Sequence, residues 1–378
     1  MHRYWVQRVI STSLRLRSFV FFSSIVAIVA TEQQAFAQDN GAPADAPSSD
    51  PSGASTPAAT DSAAPAPTDA SPATPAATTS TPPAADQATS EPTEAPPPPK
   101  KAPYSLPFNL RPTAAATVLR LDSPFAFYKD PGSGKSGSTI APVLTFSYKV
   151  VDHFAPVLRL GVVENSPPSP GKSGTDFLNP VVGGTYVFDL TPEFHLGLFL
   201  GFAVPVGTGG GDHPDAGQKL ALAAGIRARS AMDNAMFAVN DFVVFPGVDL
   251  AYVSHGFTAQ AEATLLQLTR VRGAGDPTTD SSRTNFTAGL HVGYFFVPAF
   301  SFGAELRHQR WLSTPKAVAA DKTGAARDTT TIAFGPRFHI KVGKDKWLRP
   351  AVAFVLPLDD PMSKASYKII QVDVPFAF

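Results

Sequence analysis

The sequence predicts an all-β fold, a transmembrane antiparallel up-and-down barrel of about 12 strands within a range of about 10 to 14. Three observations predict it. Apolar and polar residues alternate with period two from Thr113 to Phe378. The connections between the alternating segments are short and long in turn. Aromatic residues gather at the short-turn ends of those segments.

Before the alternation begins, the chain carries an address and a spacer. Arg3, Arg8, Arg15 and Arg17 precede the apolar run "SFVFFSSIVAIVA", and the following "TEQQAFA" ends in the small-x-small triplet Ala35-Phe36-Ala37. Residues 1–37 therefore read as a secretory signal cleaved after Ala37. The alternative, a membrane anchor, needs roughly 20 apolar residues, and this run is shorter. Residues 38–103 contain no aromatic, eight acids, Lys100 and Lys101, and 15 prolines before Pro103. So little can be buried there that the segment is expected to be a disordered, acidic linker. The folded unit is then 104–378.

That unit divides into segments near 114–128, 138–150, 154–165, 177–188, 194–206, 241–253, 257–270, 284–296, 300–312, 328–342, 347–358 and 367–378. In the first, Thr117, Leu119, Leu121, Phe125 and Phe127 share a face, with Arg120, Asp122 and Ala126 opposite. Each segment is about the length of a tilted strand that crosses a bilayer. Short turns fall at Asp152-His153, 189–193, 254–256, 297–299 and 343–346. Longer loops fall at 129–137, 166–176, 207–240, 271–283, 313–327 and 359–366. Tyr148, Phe154, Phe188, Phe194, Tyr252, Phe257, Phe296, Phe300 and Trp347 flank the short turns. A girdle at one membrane–water interface explains that clustering. Prolines in predicted strands (Pro142, Pro156, Pro180, Pro205, Pro336, Pro350 and Pro375) stand against the assignment, since each deletes a ladder donor.

With its signal sequence, its loop asymmetry and its last strand, the chain resembles Gram-negative outer-membrane β-barrels of porin-like architecture. In "KIIQVDVPFAF", Ile370, Val372, Val374, Phe376 and Phe378 make one apolar face and end on an aromatic. The resemblance implies that Phe376 and Phe378 are an assembly signal read by the barrel-assembly machinery. It implies contact with outer-membrane lipid and lipopolysaccharide, a periplasmic N-terminal linker, and contact of 38–103 with peptidoglycan as one option beside a mere spacer.

Under that reading the polar face lines the lumen. It offers Arg120, Asp122, Lys149, Arg159, Asp249, Glu262, His291, Glu305, Arg307, Arg337, His339, Lys341, Arg349 and Asp373, with small Gly289, Gly293, Gly303 and Gly335 between them. Two arrangements remain open. The charges either face a wet, open interior and steer small solutes, or pair across a narrow lumen and fill it. The slight basic excess hints at anion preference. The 220–238 stretch, free of proline and poor in β-branched residues, is expected to be helical, with Asp215 or a neighbour as cap. Folded into the mouth it would present Arg227 and Arg229 to solute as a constriction. A surface lid with no role in conduction, or an extra hairpin, are the alternatives.

Several signals point nowhere. Net charge is zero, with 31 basic and 31 acidic residues, and no basic stripe with interleaved aromatics suggests nucleic acid. The absence of cysteine excludes disulfides and thiol chemistry. "GSGKSG" at 132–137 lacks both the first glycine and the helix of a phosphate loop. Asp212, His213 and Asp215 read as a solvated loop, and no metal or other cofactor is expected. His255, His308 and His339 lie in no nucleophile motif. The expected function is a passive channel for small hydrophilic solutes, not an enzyme. A plugged structural barrel, or a barrel enzyme or carrier of lipophilic molecules, are the alternatives.

Overall fold

The structure, a computed structural model, describes residues 103–273, 280–323 and 325–378. The expected signal peptide, and the linker up to residue 102, lie outside the described residues.

Twelve staves form the wall. They are β1 (Val118–Lys129), β2 (Ser136–Ile140 and Val143–Ser147), β3 (Phe154–Ser166), β4 (Gly174–Phe177 and Val181–Asp189), β5 (Phe194–Ala203) and β6 (Asp241–Ser254). Then follow β7 (Phe257–Arg270), β8 (Ser282–Val297), β9 (Phe300–Trp311), β10 (Asp328–Phe338 and Ile340–Lys341), β11 (Trp347–Leu348 and Ala351–Pro357) and β12 (Lys368–Ala377). Each pairs antiparallel with the next in sequence. The ladder from Val118↔Ala377 to Phe127↔Lys368 joins β1 to β12 and closes the barrel. Closure leaves no unpaired edge, which is what a wall of strands in lipid requires.

Side-chain alternation sets inside from outside. Leu119, Leu121, Leu198, Leu200, Val248, Leu250, Leu290 and Val292 are exposed on the exterior, while Asp249, Glu305 and Asp373 are buried in the interior. An apolar surface this continuous would be unstable in water and marks a face that meets lipid. At the short-turn rim the aromatics form a belt. Phe194 and Tyr252 lie 5.0 Å apart, Phe300 and Phe338 5.5 Å, and Phe376 and Phe378 5.4 Å.

Four of these prolines are accommodated in two ways. Pro142, Pro180 and Pro350 sit in the breaks that divide β2, β4 and β11. At each, the carbonyl still accepts across the ladder, from Val162 N (3.2 Å), Val204 N (3.0 Å) and Phe338 N (2.9 Å). Pro375 stays inside β12. Arg349 N donates to its carbonyl (2.9 Å), but Pro375 has no N–H to return to Arg349. The orphaned Arg349 carbonyl accepts from the Arg337 guanidinium instead (2.8 Å).

The long connection between β5 and β6 folds back onto the inner wall. It holds α1 (Ala216–Ala228) and α2 (Asn234–Phe237). Asp215 caps α1 by accepting from Gly217 N (2.8 Å) and Gln218 N (3.3 Å). A hydrogen bond from Lys172 to Asp215 holds that carboxyl below the usual range, so the cap stays ionised into mild acid. Ser230 and Ala231 take left-handed conformations (φ 56° and 55°) and reverse the chain between the helices. A further short helix, α3 (Lys316–Ala319), lies in the β9–β10 loop.

Leu198 is exposed midway along β5. Leu198→Arg is expected to lower unfolding free energy from lipid vesicles by about 2–4 kcal/mol. Urea titration followed by tryptophan fluorescence measures it.

Candidate functional site: an occupied lumen

The sequence reading begins the wall at residue 114, within a folded unit starting at 104. The structure begins the wall at Val118. Residues 103–117 form no wall. They run as a strap inside the lumen and come back to the rim, where β1 begins at Val118. An irregular segment has no ladder, so its buried main-chain groups need other partners. Wall side chains supply them. Ser105 N donates to Thr258 Oγ1 (2.9 Å), and Ser105 O accepts from His291 Nε2 (3.1 Å). Phe108 N and Asn109 N donate to the Glu305 carboxylate (2.7 and 3.1 Å). Arg111 N donates to Glu262 Oε2 (2.6 Å). Pro107 O accepts from Arg120 and Arg337 (3.0 and 3.2 Å), and Phe108 O from Gln371 Nε2 (3.0 Å). At the rim, Ser147 Oγ donates to Ala116 O (2.7 Å) and Phe378 N to Thr117 O (3.2 Å).

The glycines on the inner wall make room for the strap. A Cβ on Gly293 would strike Ser105, and one on Gly289 would strike the Leu110 side chain. The open interior expected from these glycines is therefore filled over this half by the strap.

The loop meets the strap at Arg229. This side chain, expected to face solute, is buried at 2 % exposure. Its guanidinium donates to Asp122 Oδ2 (2.6 Å), Asn109 Oδ1 (2.9 Å), the Ala141 carbonyl (3.2 Å) and Asp233. Asp233 also pairs with Arg159 (2.7 Å). Burying such charges is tolerable only because each has a counter-charge and hydrogen bonds. Arg227 is exposed on α1.

The remaining lumen residues divide by partner. Asp373 bridges Arg120 and Arg337 (2.7 and 2.6 Å). Glu305 holds Arg307 (2.6 Å), which donates to Gln371 (2.8 Å). Arg111 of the strap neutralises both Asp249 (3.1 Å) and Glu262 (3.2 Å). His339 bonds Ser301 Oγ (2.8 Å). Lys149 lies exposed at the rim with Asp152 (3.0 Å), and Lys341 is exposed as well. Arg349 has no carboxylate partner among the described residues. Apart from Lys149, Lys341 and Arg349, the charged lumen residues thus pair with one another, with the strap or with the loop.

Two cavities border the loop segment 229–238, each lined by different residues of it. The outer one, 460 Å³, is lined by Asn234, Phe237, Leu222, Arg283 and Trp311. The inner one, 380 Å³, reaches from Asp233, Ala235 and Met236 down to Val118 and Ala377 near the short-turn rim. Alternate residues of one short stretch therefore face different cavities. Around this stretch the inner wall is apolar at Val143, Val163, Val181, Val243, Leu266 and Leu268, all buried. That apolar patch on a lumen face is the sequence signal for a plug. On β7 the apolar residues Leu266 and Leu268, both turned inward, are part of it.

No family model matches the chain, and no curated protein matches it either. Similar solved structures include the COG4313 outer membrane channel from Pseudomonas putida F1, with 13% identity over 72% of this chain and 98% of that chain and a TM-score of 0.47. The KdgM porin in complex with disordered oligogalacturonate shows 11% identity, 68% and 99% coverage and a TM-score of 0.38. The translocator domain of autotransporter NalP from Neisseria meningitidis shows 11%, 72% and 90%, and 0.38. The barrel architecture rests on the strand ladder itself and not on these likenesses.

Gly289→Leu is expected to eject the strap without breaking the wall. Chymotrypsin should then cut after Phe108, which it spares in the parent protein. Glu305→Ala strands Arg307 and two strap amides, and should destabilise the folded barrel by about 3–5 kcal/mol in the same urea titration.

Proposed function

We propose that this protein is an outer-membrane channel for small water-soluble solutes, closed in this state by the loop segment 229–238. One observation carries the reading: two cavities border a single short barrier, each through different residues of it. A barrel filled for strength alone has no need of open spaces bordering one loop segment through alternate residues. The barrier belongs to a loop, whose motion costs less than motion of the wall. Under this reading the linker 38–103 lies in the periplasm, and lipopolysaccharide surrounds the outer rim. Phe376 and Phe378 are read by the assembly machinery. Deleting Phe378 should lower the amount of barrel in the outer membrane; unchanged levels would remove that role.

A second reading, a structural barrel that anchors the linker to the cell wall, is favoured by the dense bonding of the strap. Enzymatic readings find less support. Ser301 and His339 are hydrogen-bonded, but both are buried and no carboxylate bonds His339 among the described residues.

Replacing 209–238 by a short Gly-Ser linker is expected to give stable ionic conductance in planar bilayers, well above that of the parent. A folded variant that stays silent would overturn the channel reading and leave the anchor.

A further inference from the structure

The inner cavity has a chemistry of its own. Most of its surface is apolar: Val143, Ala155, Val157, Val181, Phe199 and Phe245 belong to it. Phe199 and Phe245 pack with ring centroids 5.6 Å apart, and the Arg111 guanidinium lies 4.5 Å over Phe199. A space filled only by water would gain little from such walls, because apolar lining leaves water few partners. At 380 Å³ the cavity is within the range of about 300–1,000 Å³ in which small molecules bind.

Five arginines line it: Arg111, Arg120, Arg159, Arg229 and Arg349. Arg111 pairs with Asp249 and Glu262, Arg120 with Asp373, Arg159 with Asp233, and Arg229 with Asp122 and Asp233. Arg349 is different. Among the described residues no carboxylate pairs with it, and its Nε has no hydrogen-bond partner. Its carbonyl and amide serve the wall, and its guanidinium lies 5.8 Å from the centre of the Trp347 ring. Arg349 is partly buried, and a buried cation without a counter-charge is costly unless something else provides one. Pro375 and Ala377, beside it on β12, carry no polar side chain that could do so.

We propose that the inner cavity is a binding site for a small organic monoanion with an apolar body, its carboxylate held by Arg349 and its body by the apolar wall. An aromatic or alicyclic carboxylic acid has this chemistry. A bare inorganic anion leaves the apolar wall unused, and a neutral hydrocarbon leaves Arg349 unpaired. That this ligand is also the transported solute rests on the channel reading; the binding itself does not.

The test uses the full-length protein in nanodiscs and fluorine NMR. 4-Fluorobenzoate is the probe, with 4-fluorobenzyl alcohol as its neutral analogue and acetate as competitor. Saturable binding of 4-fluorobenzoate is expected. Arg349→Gln should weaken it roughly ten- to a hundredfold, the worth of one charge-assisted hydrogen-bonded contact. The alcohol should bind the parent correspondingly less well, and acetate should not compete. Arg349→Gln removes no side-chain hydrogen bond from the fold, so loss of binding in a folded variant reports the site. Ala155→Trp, which fills the cavity from the β3 side, should abolish binding. No saturable binding, equal binding of acid and alcohol, or full affinity in Arg349→Gln would each overturn the proposal. Conductance of the 209–238 replacement separates the two claims. Binding without conductance sinks the channel and keeps the site, and conductance without binding does the reverse.

Discussion

Main-chain groups buried in a lumen must be hydrogen-bonded, and for residues 103–117 the ladder cannot do it. Glu305 answers that requirement at the centre of the barrel. One carboxylate accepts from Phe108 N and Asn109 N, and from Arg307 as well. From it the network runs through Arg307 to Gln371, from Gln371 to Asp122 (2.8 Å), and from Asp122 to Arg229 on the loop. Strap, wall and loop are thereby one electrostatic unit. Double substitutions along this chain should not behave additively, because its members share partners.

The same demand for partners shapes the wall. Each proline in a stave leaves one carbonyl without a donor, and the barrel has no edge at which water could supply one. At Pro375 the remedy comes from inside, since Arg337 reaches the Arg349 carbonyl while also holding Asp373 and Pro107 O. Arg337 therefore joins wall repair to strap attachment. Arg349 gives its main chain to this arrangement, and among the described residues no carboxylate pairs with its guanidinium.

Much of the fold was legible because lipid imposes a strict code. Alternation along "FTAQAEAT" marks the first part of β7, since outward residues there are apolar; beyond Thr264 it blurs, because Leu266 and Leu268 turn inward and Gln267 and Thr269 outward. The short turns were equally readable, and so was α1, with Asp215 ahead of a stretch free of proline and poor in β-branched residues. The strap was not legible. "PYSLPFNLRPTAAA" has no period, and its order comes from partners far away in sequence. Two hints were nonetheless present. Asp249 and Glu262 point inward on neighbouring staves with no basic residue at an inward position beside them, and Phe108 and Leu110 are apolar residues in a proline-broken tract. Arg229 was misplaced for a related reason. Helical periodicity locates a residue on α1 but says nothing of what that face meets, and here it meets Asp122 and Asn109.

Hydrogen exchange of the amides of Ser105, Phe108, Asn109 and Arg111, in full-length protein held in a bilayer, tests most directly whether the chain occupies its own lumen. The account predicts slow exchange at these four positions, comparable to β8 and β9 and lost at Phe108 and Asn109 in Glu305→Ala. Exchange at the rate of an unstructured peptide in the parent protein would contradict it.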